Sequence, residues 1–186
     1  ARDLEITMLK DEVAALKASG ENYSSVAGRT LAAIAAGDKS VVAVTAAMKE
    51  GTGLAEFEKA APERLFDVGI AEQHAVTFSA ALASTGARPF VAIYSTFMQR
   101  ALDQVIHDTA LMNLPVRFLV DRAGIVGEDG ETHHGLFDIS MIRNIPNFQF
   151  FAPSDGAELR DMIYYAWKHD SGPVAIRYPR GTAAAL

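Results

Sequence analysis

Six short apolar runs separated by stretches of helical periodicity predict an α/β domain, a mostly parallel six-stranded sheet with helices on both faces. The runs are apolar at consecutive positions, as strands covered on both faces require. They alternate with helical patterns, and that order feeds parallel rather than antiparallel pairing. At 186 residues the chain suits one domain with a well-buried core, not two.

The elements follow in order. Ile6, Leu9, Val13 and Leu16 fall at heptad a and d spacing, but two heptads are too few for a coiled coil. Residues 1–22 therefore read as a leader helix or linker, native or not, with a break at Ser19-Gly20-Glu21-Asn22. From Tyr23 the expected strands are 41–45, 65–68, 90–94, 116–120, 148–151 and 174–177. Between them, Ala71, Ala75, Phe78 and Leu82 form one helical stripe, and Leu102, Val105, Ile106 and Met112 another. The clearest 3.6-residue period is Leu159, Met162, Ile163, Ala166 and Trp167, opened by a capping box at Asp155 and Glu158. Residues 23–181 make the domain, and 182–186, ending Ala183-Ala184-Ala185-Leu186, read as a vector-derived tail. A chain that starts at Ala1 and ends this way is expected to be an excised piece.

Composition narrows the function classes. A net charge of −6 disfavours nucleic acid or an anionic membrane as the main partner. With no cysteine, disulfides and thiolate metal sites are excluded, and a reducing compartment is the default. No apolar stretch approaches the roughly 20 residues of a membrane span, and no signal peptide is visible.

In such sheets ligands gather at the carboxyl ends of the strands. Three segments there carry chemistry: Gly69–Gln73, Ser95–Arg100 and the Gly-rich loop 121–135, whose length marks it as functional or mobile. Glu72 opens a helix, where the macrodipole alone favours an acid. Its alternative is an apolar pocket in which a carboxyl shares a proton with a ring nitrogen. Tyr94 and Phe97 are either core aromatics or, with Arg100 close by, a platform for a planar heterocycle. Asp129 and His133 are a candidate proton-transfer pair. The same stretch, with His134 adjacent, is also a weak metal signal or a plain solvated loop. Arg100, Arg122, Arg177 and Arg180 lie at strand ends or a helix start and suit a phosphate monoester, or are ordinary surface cations. His107 and His169 read as structural.

The strings LFDVGIAEQHA (65–75), YSTFMQRALDQVIHD (94–108), DRAGIVGEDGETHHG (121–135) and RYPRG (177–181) resemble the 1-deoxy-D-xylulose-5-phosphate synthases, transketolase-like thiamine diphosphate enzymes. The resemblance runs from about Tyr23 to Gly181 and implies a pyrimidine-binding domain. It implies that Glu72 bonds N1′ of the aminopyrimidine, promoting the tautomer that deprotonates thiazolium C2. Phe97 then stacks on that ring beside Tyr94. Tyr94, Arg100, Arg122 and Arg180 would line the pocket for a substrate phosphate. Asp129 and His133 would serve substrate binding and proton handling.

The family joins pyruvate to glyceraldehyde 3-phosphate with release of CO2, and the resemblance further implies a homodimer for the intact enzyme, in the bacterial cytoplasm or, in a eukaryote, the plastid stroma. The Gly-Asp-Gly motif and Asn with which the family holds Mg2+ and the diphosphate have no counterpart here; Gly127-Glu128-Asp129-Gly130 falls in the wrong region. The chain is thus expected to carry no metal ligands, to need a missing diphosphate-binding domain, and to be inactive alone. Two rivals remain: a split transketolase-type subunit completed in trans, and a non-catalytic module that keeps the fold.

Overall fold

The computed structural model describes residues 20–183, so the expected leader helix over residues 1–19 and the tail residues 184–186 lie outside the described residues. All six expected strands are present: β1 (Val41–Thr45), β2 (Leu65–Asp67), β3 (Arg88–Tyr94), β4 (Arg117–Asp121), β5 (Gln149–Phe151) and β6 (Val174–Arg177). They form one sheet of order β2-β1-β3-β4-β6-β5, and every neighbouring pair is parallel rather than merely most of them. Around it lie helices α1 (Tyr23–Gly37), α2 (Ala55–Ala60), α3 (Glu72–Ser84), α4 (Ser95–Met98), α5 (Leu102–Gln104), α6 (Asp138–Ile142) and α7 (Gly156–Lys168). None of the helices among the described residues is long and apolar enough to cross a membrane.

The pleat sends alternate strand residues into two cores. Val41, Ala43, Phe90, Ala92, Leu119, Val174 and Ile176 pack with α1, α2 and α7 through Leu31, Phe57, Leu159 and Ile163. Val44, Val91, Ile93, Phe118, Val120 and Ala175 pack on the other face with Ala75, Val76 and Ala80 of α3 and with Met98 and Val105. This double burial explains why the inner strands read as unbroken apolar runs. The edge strands β2 and β5 are only three residues long and half-buried or exposed, which limits the unpaired ladder they offer to other chains.

One helical stripe differs from its sequence expectation. Val105–Ala110 is π-helical, and Leu114 N–H donates to the carbonyl of Thr109 five residues back. The wider turn breaks the 3.6-residue register. Val105 is buried as expected, but Ile106 is 36 % and Met112 65 % exposed, while Thr109 and Ala110 face the core instead. In α3 the buried stripe is Glu72, Ala75, Val76, Ser79, Ala80 and Ala83, with Phe78 and Leu82 at its half-buried margin. At the start of α7, Asp155 accepts from Glu158 N–H at 2.8 Å, while the Glu158 carboxylate reaches back to Ser154 N–H at 2.6 Å, one residue beyond the usual box.

The amino end of the sheet is closed by ion pairs. Arg117, almost fully buried, donates to the carbonyls of Ala166 and His169 and to Asp170. Arg88 grips Asp170 through both terminal nitrogens, at 2.7 and 2.8 Å, and Trp167 Nε1 donates to Asp38. His169 lies just past the end of α7 and stacks on Tyr165. These bonds fasten the end of α7 to β3 and β4, leaving the opposite edge for binding.

At the carboxyl edge α1 meets the loop after β1 backbone to backbone. A Cβ on Gly28 would lie 1.9 Å from the Gly53 carbonyl oxygen, and one on Gly53 2.1 Å from that of Ser24. Asn22 caps α1 by accepting from Ser25 N–H at 2.8 Å and pairs antiparallel with Thr182, so residues 21–22 and 182–183 are drawn onto the domain. Gly28→Ala should lower stability by about 1–3 kcal/mol through overpacking, although alanine is the better helix former. The urea midpoint, read at unchanged m, checks this; a midpoint at or above the native one would show the contact to be slack.

Candidate functional site

The strand order reverses between β1 and β3, because β2 lies to one side of β1 and all later strands to the other. A crevice at the carboxyl ends of the strands is expected at such a reversal. Here it is bordered by the loops after β1, β2, β3 and β4, and these loops carry the candidate residues.

Glu72 opens α3 and is 2 % exposed. Its Oε1 accepts from Arg100 Nη1 at 2.6 Å, the one side-chain hydrogen bond Glu72 makes among the described residues, which leaves Oε2 without one. Leaving a buried carboxylate without a cation costs several kcal/mol, which explains why Arg100 turns to it. Arg100 is half-exposed and its Cζ lies 4.8 Å from the centre of the Phe97 ring. The guanidinium that the resemblance assigns to a substrate phosphate is thus engaged with the acid and the aromatic instead.

Tyr94 ends β3 and Phe97 lies in α4, the two rings stacked 5.8 Å apart at 17°. Gly51 permits this placement, since a Cβ there would fall 1.7 Å from the Tyr94 hydroxyl. His133 meets Phe97 edge-on at 5.3 Å and 76°, and its Nδ1 lies 3.0 Å from Thr132 Oγ1.

The loop 121–135 is pinned shut at its base, where Gly124 and Gly135 exchange both backbone hydrogen bonds at 2.8 Å. Two 3₁₀ turns, Gly127–Asp129 and Glu131–His133, occupy its span. Asp129 lies between two cations, 3.3 Å from Arg122 and 3.4 Å from Arg180. Asp129 and His133 do not share a hydrogen bond among the described residues, so the expected proton-transfer pair is divided between a cationic and an aromatic neighbourhood. A cleft of about 670 Å³ opens at the two arginines, lined by Ser24, Ser25, Gly51, Arg122 and Arg180 together with the acids Glu21, Glu50 and Glu128. Arg177 takes no part, because its Nε donates to Asp138 at 2.8 Å and so anchors α6. His107, in the π-helical stretch, is exposed and bonded to Asp108.

Arg122 stands in left-handed backbone with φ +57°, its Cζ 4.0 Å from the Tyr94 ring centre and its Nη1 donating to the Gly51 carbonyl at 2.6 Å. Behind it is Asp121, which sequence reasoning missed. Its carboxylate is fully buried and accepts from Ser24 Oγ at 2.6 Å and Arg122 N–H at 2.7 Å. The available signal was an acid directly after the apolar run Phe118-Leu119-Val120 and directly before an arginine.

Thiamine diphosphate can be tested against these residues. The pyrimidine end fits, with a buried carboxylate keeping one oxygen open beside a stacked aromatic pair. For the other end, no group of three or more His, Cys, Asp or Glu able to hold a metal ion is gathered among the described residues.

Burial pushes the Asp121 carboxyl up to about 6, against the opposing pull of Ser24 and Arg122. A carboxyl raised in the folded state stabilises the fold fully below its unfolded value near 4, and that stabilisation is lost as pH rises through about 6. Asp121→Asn should therefore flatten the stability profile between about pH 4 and pH 6, removing a change on the order of 3 kcal/mol. Denaturant midpoints measured across that window check it; an unchanged slope would show that Asp121 does not titrate there.

Comparisons with known proteins bear on the family and the fold. The family described as transketolase, pyrimidine binding domain, matches residues 20–184. A 1-deoxy-D-xylulose-5-phosphate synthase of Alkaliphilus oremlandii is 62% identical over 160 residues, 86% of this chain and 26% of that protein. One of Rhodobacter capsulatus is 59% identical over 160 residues, 86% of this chain and 25% of its own length. The chain thus spans about a quarter of the curated relatives it matches. Among solved structures, a split-gene transketolase described as an inactive beta4 tetramer superposes with a TM-score of 0.78 at 30% identity, covering 88% of this chain and 53% of that one. The transketolase of Campylobacter jejuni superposes at 0.77 with 22% identity, covering 95% of this chain and 31% of its own, which is a likeness of fold. With the family matched across nearly its whole length, the chain belongs to the transketolase pyrimidine-binding domains.

Proposed function

We propose that this chain is the pyrimidine-binding part of a thiamine diphosphate-dependent transferase. The enzyme condenses pyruvate with glyceraldehyde 3-phosphate to 1-deoxy-D-xylulose 5-phosphate and CO2, an early step toward isoprenoids, thiamine and pyridoxal. The observation that carries the reading is Glu72, buried at the crevice with Oε2 open and the Tyr94–Phe97 pair nearby. The names of relatives such as those of Alkaliphilus oremlandii and Rhodobacter capsulatus support the choice of reaction.

When bound, thiamine diphosphate supplies a carbon nucleophile for the pyruvate carbonyl and a sink for the electron pair left as CO2 departs. The chain's own part is to bind and orient. Glu72 Oε2 shares a proton with the ring nitrogen N1′, and Arg100 on Oε1 keeps the carboxylate from turning away. Phe97 offers the stacking face beside Tyr94. Arg122 and Arg180 receive the acceptor's phosphate, displacing Asp129 from between them. His133, against both aromatic rings, handles protons near the reacting carbons.

Mg2+ and the diphosphate are held by residues outside this chain, and the chain alone is inactive. Large exposed apolar side chains, among them Ile70, Leu111, Met112, Ile125, Leu136 and Phe137, support burial against further domains and a second copy in a homodimer. The likeness to a split-gene transketolase favours a second reading, in which the diphosphate-binding half is a separate chain. Co-purification of the chain with such a partner would decide for it.

Glu72→Gln in the full-length protein should slow hydrogen exchange at the cofactor's C2 by about 10²- to 10⁴-fold, the usual reach of a positioned acid–base group. NMR of the bound cofactor in deuterated buffer reads that rate directly. Exchange within a few-fold of native would remove Glu72 from the chemistry.

A further inference from the structure

We propose that Asp121, together with Ser24, is a positioning residue that sets the Arg122 guanidinium for the phosphate of an acceptor substrate. The inference rests on the phosphate-binding reading of Arg122 given above. Asp121 closes the central strand β4 with its side chain fully buried, so it cannot touch a ligand in the cleft. It can act only through what it holds. One oxygen, Oδ2, accepts from Ser24 Oγ at 2.6 Å, which ties it to the first turn of α1. The other, Oδ1, accepts from Arg122 N–H at 2.7 Å and lies 3.2 Å from Arg122 Nη1.

That double grip has a conformational consequence. Arg122 is a non-glycine residue at φ +57°, a conformation that costs about 1–2 kcal/mol and persists where the surroundings enforce it. With its backbone N–H and its guanidinium bonded to the same carboxylate oxygen, the side chain folds back under Tyr94 and onto the Gly51 carbonyl. The guanidinium then borders the cleft shared with Arg180. A surface arginine must give up many rotamers to bind an anion, whereas this one has given them up on folding.

The charge on Asp121 is what makes the grip strong. Facing it are Ser24 from α1, Arg122 from its own loop and Tyr178 just beyond β6. The Tyr178 hydroxyl is fully buried and has no hydrogen-bond partner among the described residues, and burial holds its phenol well above the ordinary value, so it stays neutral. Beyond Arg122 lie Tyr94, Asp129 and Arg180. With the Asp121 carboxyl raised to about 6, the pair with Arg122 is ionised at neutral pH and weakens in mild acid.

The test uses the full-length protein. Binding of glycerol 3-phosphate is measured by calorimetry without cofactor, and kcat and KM are measured with glyceraldehyde 3-phosphate and with unphosphorylated glyceraldehyde. Asp121→Asn keeps the shape and removes the charge. It should weaken glycerol 3-phosphate binding about tenfold at about pH 8, the worth of one charge-assisted hydrogen bond. The KM for glyceraldehyde 3-phosphate should rise in step, with kcat within about twofold and glyceraldehyde kinetics unchanged. Ser24→Ala should weaken binding in the same direction by a smaller factor, and it decides the matter alone if Asp121→Asn fails to fold.

As pH falls through about 6 the affinity ratio of native to Asp121→Asn should approach one; the ligand's own ionisation near 6 affects both proteins alike and cancels. Unchanged affinity in the variants, or equal losses with both acceptors, would overturn the proposal. Arg122→Met separates the two levels. If it leaves glycerol 3-phosphate binding intact, the phosphate reading itself fails. If it abolishes binding while Asp121→Asn does not, only the positioning role fails.

Discussion

A parallel sheet buried on both faces can carry charge only where its strands end. Most strand residues between the ends go into one of two apolar cores, so polar groups collect at the two edges of the layer. The amino edge is electrically closed: Arg117, Arg88, Asp170 and Asp38 satisfy one another and the last carbonyls of α7. The carboxyl edge is not. Glu72 keeps an open oxygen, and Arg122 and Arg180 border a cleft. Similar residue types serve to hold the fold at one edge and to bind at the other, and the difference is whether their partners come from the chain itself.

The carboxyl edge is assembled from four loops, and its geometry depends on how closely they approach. Gly28 and Gly53 bring α1 against the loop after β1, which delivers Ser24 to Asp121 and the Gly51 carbonyl to Arg122. Gly51 also leaves room for the Tyr94 hydroxyl, so one glycine serves both the arginine and the aromatic platform. Gly135 closes the loop 121–135 against Ser95, at the head of the helical turn that carries Phe97. These contacts are backbone approaches, and the side chains that define the site follow from them.

That division explains what was legible in the sequence. Short, mostly apolar runs revealed all six strands, and in the inner ones double burial leaves little room for alternation. Glu72, Tyr94, Phe97, Arg122 and Arg180 could be assigned to the carboxyl-end loops from sequence because strand ends are easily located and such residues are conspicuous there. Partnerships were not legible. Arg100 was expected at a phosphate and stands on Glu72; Arg177 was a phosphate candidate and anchors α6; Asp129 and His133 were expected together and have separate neighbours. Asp121 passed unnoticed because its role depends on Ser24, 97 residues away. The stripe through Ile106 and Met112 failed for a local reason, since a π-helical stretch shifts the register that periodicity assumes.

At the centre of the account is the open oxygen of a buried acid beside an aromatic pair. A crystal structure of the full-length protein with thiamine diphosphate tests it most directly. Glu72 Oε2 should lie about 2.7–3.2 Å from the pyrimidine nitrogen, with the Phe97 ring against the pyrimidine face and Arg100 still on Oε1. A pyrimidine seated elsewhere, with Glu72 bonded to Arg100 alone, would contradict it.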